Sequence, residues 1–255
     1  MIKLSHNLAL LSVLSLFAAL SISCKTTVMS DYTVMDVNVE EISGLCLSSD
    51  KSFLWAVGDQ GLLAKVTFDG KVTKILEQDA DMEDVTLDPT NGNLYIAIEG
   101  DQVVYRVNAP EFTTTETVFA VQEAIDRKFR NNGLEGISYY KDGQIYVGAQ
   151  EDATLWLYNL DGTIVWKKEL GDITDRIEEV GGLCYDAEAD LLWVADSDKC
   201  CLFVFDSACT RLVAQYQLPP IENAESVCVD HTNNCVWVGS DEDSPKLYKI
   251  PFEKL

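Results

Sequence analysis

Glu83-Asp-Val-Thr-Leu-Asp-Pro-Thr-Asn-Gly-Asn-Leu-Tyr95 decides the fold. It reads as a short apolar strand, a polar turn built on Pro89, Asn91 and Gly92, and a second strand led by an aromatic residue. The same pattern recurs at Ser43-Gly-Leu-Cys-Leu, Glu135-Gly-Ile-Ser-Tyr, Gly181-Gly-Leu-Cys-Tyr and Glu225-Ser-Val-Cys-Val, and the second strands open at Trp55, Tyr95, Tyr146, Trp193 and Trp237. Each aromatic follows its opening residue by eleven or twelve positions, and successive repeats start 40, 52, 46 and 44 residues apart. That period is the length of a four-stranded propeller blade. Third and fourth strands follow with Asp-Gly turns, as in Leu62–Phe68, Asp69-Gly70 and Lys71–Leu76, and again in Leu155–Asn159, Asp161-Gly162 and Thr163–Lys168. An all-β, five-bladed β-propeller over residues 31–255 is therefore expected. The fifth repeat supplies three strands, and the alternating segment Tyr32–Val39 is positioned to add the fourth and close the last blade, which removes free sheet edges. The five aligned aromatics read as packing between blades rather than as a ligand cage.

Upstream of the repeats, Lys3 precedes an uncharged run from Leu8 to Ile22 that ends in Ser21-Ile22-Ser23-Cys24. This is the layout of an export signal, and a cysteine at its end resembles a bacterial lipobox. Residues 1–24 are accordingly read as a lipoprotein signal peptide with Cys24 lipidated, and 25–30 as a short tether. The expected location is the bacterial cell envelope on the periplasmic side, with the membrane as partner through the lipid anchor, and the expected state is a monomer. The chain carries 42 acidic against 19 basic residues, a net charge of -23. Such a surface repels phosphate backbones and anionic headgroups, so nucleic acid is not a partner. Metal cations, cationic small ligands or an envelope protein are the natural guests.

Seven cysteines follow Cys24. Cys46, Cys184 and Cys228 share one repeat position among apolar neighbours and read as small core residues, whereas Cys200, Cys201, Cys209 and Cys235 have no assigned role. There is no Cys-x-x-Cys pair, and His231 is the sole histidine outside the leader, so zinc is not indicated.

In a blade the first strand descends beside the channel and the second returns, so the start of one and the end of the other share a mouth. The opening residues are Ser43, Glu83, Glu135, Gly181 and Glu225; two positions earlier stand Glu41, Asp81, Gly133, Glu179 and Asn223; and the second strands end at Asp59, Glu99, Gln150, Ser197 and Asp241. Carboxylates gathered there repel one another unless water, protons or a cation intervene. Calcium suits such a site, because it takes six to eight oxygen ligands in flexible geometry. The metal set expected from these columns is Glu83, Glu135 and Glu225, aided by Glu41, Glu179, Asp59, Glu99 and Asp241.

Gly133-Leu-Glu-Gly-Ile-Ser, Met82-Glu-Asp-Val-Thr and Ala224-Glu-Ser-Val-Cys, on five blades behind a lipoprotein signal, resemble the SdiA-regulated family over Asp31 to Leu255. The resemblance implies a five-bladed propeller distantly similar to NHL repeats, calcium at a shared site and no settled biochemical activity. That site carries over only onto Glu83, Glu135 and Glu225; blades one and four depart from the pattern with Ser43 and Gly181.

A nucleophilic triad would need a histidine base, and His231 lies in the turn Asp230-His-Thr-Asn-Asn on the opposite face, where a solvated turn residue is expected. Gln122 to Asn132 reads as a short helix, with Ala124, Ile125 and Phe129 at near-helical spacing and Arg127, Lys128 and Arg130 as the main basic cluster. Beside a calcium site, these cations could hold an anionic substrate. Two functions are thus expected in order: a calcium-binding envelope lipoprotein that binds a ligand or protein without catalysis, with a calcium-dependent, phytase-like phosphoester hydrolase as the alternative.

Overall fold

The computed structural model describes residues 26–127, 132–240 and 244–251. The leader and Cys24 lie outside them. Among the described residues no helix is long and apolar enough to cross a membrane.

Five separate sheets form a five-bladed propeller. Blade 1 consists of Ile42–Leu47, Leu54–Gly58, Leu62–Val66 and Val72–Glu77. Blade 2 is Met82–Leu87, Leu94–Ile98, Val103–Val107 and Thr115–Ala120, and blade 3 is Leu134–Tyr139, Gln144–Ala149, Thr154–Asn159 and Ile164–Glu169. Blade 4 is Gly182–Asp186, Leu191–Asp196, Cys201–Asp206 and Leu212–Gln217. Blade 5 has three strands of its own, Cys228–Asp230, Cys235–Ser240 and Lys246–Pro251, and is completed by Thr33–Asp36, which pairs antiparallel with Lys246–Pro251. The ring is therefore closed by the N-terminal segment, as the repeat count requires. A second N-terminal contact is new: Thr26–Val28, within the stretch read as a tether, lies parallel to Leu212–Gln217 as a fifth strand of blade 4. Three residues are too few to show an alternating pattern.

The hydrophobic core is divided into five clusters, one between each pair of neighbouring blades. Trp55, Tyr95, Tyr146, Trp193 and Trp237 are each at most 2% exposed and sit in different clusters. Trp237 of blade 5 stacks on Phe68 of blade 1 with centroids 5.2 Å apart, and Tyr146 of blade 3 donates its hydroxyl to the Ser207 carbonyl of blade 4 at 2.6 Å. The repeated aromatic is the blade-to-blade spacer that the sequence pattern predicts. At the foot of the first strand, Asp88, Asp186 and Asp230 each accept hydrogen bonds from amides of the following turn, and Ser48 does so in blade 1. These caps fix the hairpins of the lower face.

The connection after blade 2 contains the helix Gln122–Arg127. Ala124 is fully buried in the cluster between blades 2 and 3, while Ile125 is 39% exposed rather than inward-facing. Glu123 anchors the helix to blade 3 by accepting from the Trp156 indole (3.2 Å) and pairing with Lys167 (2.5 Å).

Candidate metal centre at the upper mouth

The first strands of the five blades lie against one another around the axis. Where they begin, the pairing with the second strand slips by one residue. The shift falls between Ile42 and Gly44, between Met82 and Asp84 and between Leu134 and Gly136, leaving Ser43, Glu83 and Glu135 as the extra residues. In blade 5 Ala224 bridges Ser240 whereas Cys228 pairs with Trp237, so the slip lies around Glu225. A bulge of this kind re-aims a side chain that strict alternation would send elsewhere. Here it delivers the opening residue of the repeat to the axis.

Glu83 and Glu135 are 7% and 8% exposed and Glu99 is 9%, with Asp81 and Glu225 half-buried beside them. Carboxylate oxygens of Asp81, Glu83 and Glu99 lie within 4.8 Å of one another. Burial, followed by the charges of Glu135, Asp81 and Glu99, pushes the Glu83 carboxyl far above the ordinary range. Burial and the charges of Glu99, Glu225 and Glu179 do the same to Glu135. Glu99 is also raised by burial and by Asp81, partly offset by the Gly133 amide that it accepts at 2.8 Å. Among the described residues no basic side chain pairs with Asp81, Glu83, Glu99 or Glu135. Buried acids in this state must share protons or face a cation. The donor set is all oxygen, several oxygens are available within a small radius, and no nitrogen or sulfur intrudes, so the residues fit calcium.

Below this ring the channel is closed by Asp84, which is 1% exposed. Its Oδ2 accepts the amides of Ile137 in blade 3 (2.9 Å) and Leu183 in blade 4 (3.1 Å), and its Oδ1 accepts that of Val85 (2.7 Å). Gly44 of blade 1 presses on it so closely that a Cβ there would come within 2.4 Å of the Asp84 Cα. One carboxyl thus links three blades and abuts a fourth. Burial raises its pKa well above normal despite the three amides.

Residues 25–178 match the model of the SdiA-regulated family, more than half of the chain. The chain belongs to the SdiA-regulated family. No curated protein matches it. Among solved structures, glutaminyl cyclase of Myxococcus xanthus superposes with a TM-score of 0.63 at 10% identity, covering 89% of this chain and 97% of that one. A chain of the nidogen/laminin complex gives 0.54 at 15% identity, covering 78% and 72%. At such identities the likeness carries the fold alone.

In this SdiA-regulated propeller the expected ring is brought together unevenly. Glu135 is the hub, with Glu83, Glu99, Glu225 and Glu179 all acting on it, and Glu83 is acted on in turn by Glu135 and Glu99. Glu179, however, spends Oε1 on the turn of blade 4, accepting the amides of Ser197 (2.9 Å) and Asp198 (3.0 Å) and the Ser197 hydroxyl. Beside it Asp196 is pushed up to about 6 by burial, against the amides of Glu178 and Lys199 that it accepts. Glu41 and Asp59 form a pair of their own in blade 1, where hydrogen bonds from Asp59 and Gln60 hold the Glu41 carboxyl below its usual range. Neither is a principal charge acting on Glu83, Glu99 or Glu135. Asp81, present in the aligned columns but left out of the expected ligand set, belongs to the cluster instead. Asp241, Lys128, Arg130 and the side chain of Arg127 lie outside the described residues.

His231 corrects the sequence reading. Its side chain is 13% exposed, and its Nε2 meets both oxygens of Asp186 in the neighbouring blade at 2.8 Å. It bridges blades 5 and 4 on the lower face rather than standing in solvent, because Asp186, at the end of the first strand of blade 4, lies within its reach. Alignment of repeats cannot reveal a contact between turns of different blades.

Proposed function

We propose that this chain is a calcium-binding envelope lipoprotein, held to the membrane through Cys24, whose propeller acts as a ligand- or protein-binding module and not as a catalyst. The observation that carries the reading is the cluster of Asp81, Glu83 and Glu99 at one mouth, with buried Glu135 beside it and no basic side chain paired with any of the four among the described residues. Asp81, Glu83 and Glu99 would hold the ion from blade 2, with Glu135 and Glu225 completing the set from blades 3 and 5. Bound there, the cation neutralises mutual repulsion and ties blades together, so it supplies stability and a charged rim for a partner's oxygen atoms.

The test is calorimetric titration of chelator-stripped protein with calcium and, separately, magnesium. Saturable calcium binding that raises the melting temperature and is lost in Glu83→Gln is the expected result. A melting temperature indifferent to chelation, together with no metal by elemental analysis, would sink the reading. Cys24→Ala is expected to release the protein from the membrane fraction.

A further inference from the structure

Beneath Asp84 the channel reopens into a lower cavity of about 260 Å³ to which all five blades contribute, among them Leu47, Leu87, Tyr140, Leu183 and Val229. Three of its polar side chains are engaged in stitching blades together. Thr86 and Ser138 accept the amides of Tyr139 and Tyr185 in the next blade, each at 2.8 Å, and the Cys184 sulfur accepts that of Val229 at 3.4 Å. In an antiparallel ladder every second residue turns its amide away from the paired strand. At the foot of the first strands Ser48 and Asp88 donate to Phe53 and Asn93 of the second strands. The residues just before them, Leu47 and Leu87, therefore direct their amides toward the axis, as Tyr139, Tyr185 and Val229 do. The repeat sets Cys228 and Cys46 in the accepting positions for these two, and neither sulfur accepts: the Leu47 and Leu87 amides meet no acceptor among the described residues.

Leu47 and Leu87 line the cavity from neighbouring blades whose inner strands lie against each other. Lys51, four residues beyond Leu47, is the only charged residue of the lining among the described residues. It reaches from blade 1 to Glu188 of blade 4, which is not its neighbour, at 3.4 Å, and both side chains are about half exposed. An ion pair so exposed is readily exchanged for another. Other acids of this face are committed: Asp50, Asp88, Asp186 and Asp230 accept amides of their own turns.

We propose that the lower cavity binds a small monocarboxylate with an apolar body. The carboxylate accepts the Leu47 and Leu87 amides and takes Lys51 from Glu188, while the body lies against the apolar lining that Leu183, Tyr140 and Val229 help to form. Donors held in a wall without acceptors favour a guest that brings an oxygen to them. The single cation makes that oxygen anionic. The cavity is somewhat smaller than the roughly 300 Å³ at which pockets for drug-sized ligands begin, so the guest is correspondingly small.

The site is independent of the calcium reading, and its test is run in chelator, so failure here leaves that reading standing. The full chain is titrated calorimetrically with octanoate, octanol and octylammonium chloride, and iodoacetamide labelling with and without octanoate is mapped by mass spectrometry. Saturable octanoate binding, tighter than that of octanol and much tighter than that of octylammonium, is expected. Octanoate should shield Cys46 and Cys184, which line the cavity, and leave the labelling rate of half-buried Cys200, outside it, unchanged. Lys51→Gln should weaken octanoate about two- to fivefold and leave octanol unaffected, whereas Glu188→Gln should tighten octanoate by a similar factor. Both side chains are half exposed, so these variants fold. No saturable octanoate binding, octylammonium bound as tightly as octanoate, an octanoate affinity unmoved by Lys51→Gln, or equal shielding of Cys200 overturns the proposal.

Discussion

The two ends of the central channel are built on the same five inner strands and do opposite things with them. At the upper mouth bulges gather Glu83, Glu135 and Glu225 with Asp81 and Glu99, a hard oxygen-rich cluster whose members destabilise one another when charged. At the lower mouth strand pairing is regular, and Thr86, Ser138 and Cys184 accept amides of the next blade, a soft and largely neutral lining. Asp84 separates them. The difference teaches that in a propeller the chemistry of the axis follows from local register: one extra residue per strand turns a carboxylate inward, while its absence leaves small side chains to stitch blades together.

Removing the divider is expected to have the largest effect. Asp84→Ala leaves three buried amides without an acceptor, at about 1–3 kcal/mol each, so a loss of roughly 3–9 kcal/mol is expected in denaturant unfolding. A change below about 1 kcal/mol would show that the channel is not held by this residue. Next comes the cation. Saturating calcium at a hundred times its dissociation constant is worth about 2.7 kcal/mol, or roughly 5–10 °C in melting temperature for a chain this long. The effect should be confined to the upper end, leaving the alkylation rate of Cys184 unchanged.

A smaller effect comes from pH. Glu83, Glu99 and Glu135 have folded pKa values raised above their unfolded values, and Asp196 is raised to about 6. The folded chain therefore binds more protons than the unfolded one, and the associated stability is complete below about pH 4, the unfolded range. It is lost as pH rises through 6 for Asp196 and higher for the glutamates. In chelator the melting temperature should fall between pH 5 and 8, and calcium should flatten that slope. Glu135→Gln should stabilise the chelated protein by about 1 kcal/mol and abolish the calcium response, two signs that a solvated acidic rim would not produce. Smallest, His231→Ala should cost on the order of 1 kcal/mol by unpairing Asp186, with no change in calcium binding.

Much of the candidate cluster is legible in the sequence, because a repeat places equivalent residues at equivalent depths. Glu83, Glu135, Glu225 and Glu99 were found that way. Asp81 stands in the same columns but outside the expected ligand set, while Glu41 and Asp59 stand inside it although blade 1 keeps them to themselves. The reason is that equal repeat position specifies height and blade but not rotamer or competing partners. Glu179 shows the same limit: it reaches the mouth, and the amides of Ser197 and Asp198 claim one of its oxygens.

The amino-acid sequence by itself determined the five blades, their aromatic spacers and the closure of the last by Thr33–Asp36, since periodic burial and turn chemistry are local properties repeated five times. Tertiary structure decided what happens where repeats meet. The bulge that aims Glu83, the reach of Asp84 across to Ile137 and Leu183, the Val229 amide on the Cys184 sulfur, the Asp186–His231 bridge and the added strand Thr26–Val28 all depend on residues far apart in the chain. Such contacts depend on how five inner strands converge around one axis, a geometry no single repeat encodes.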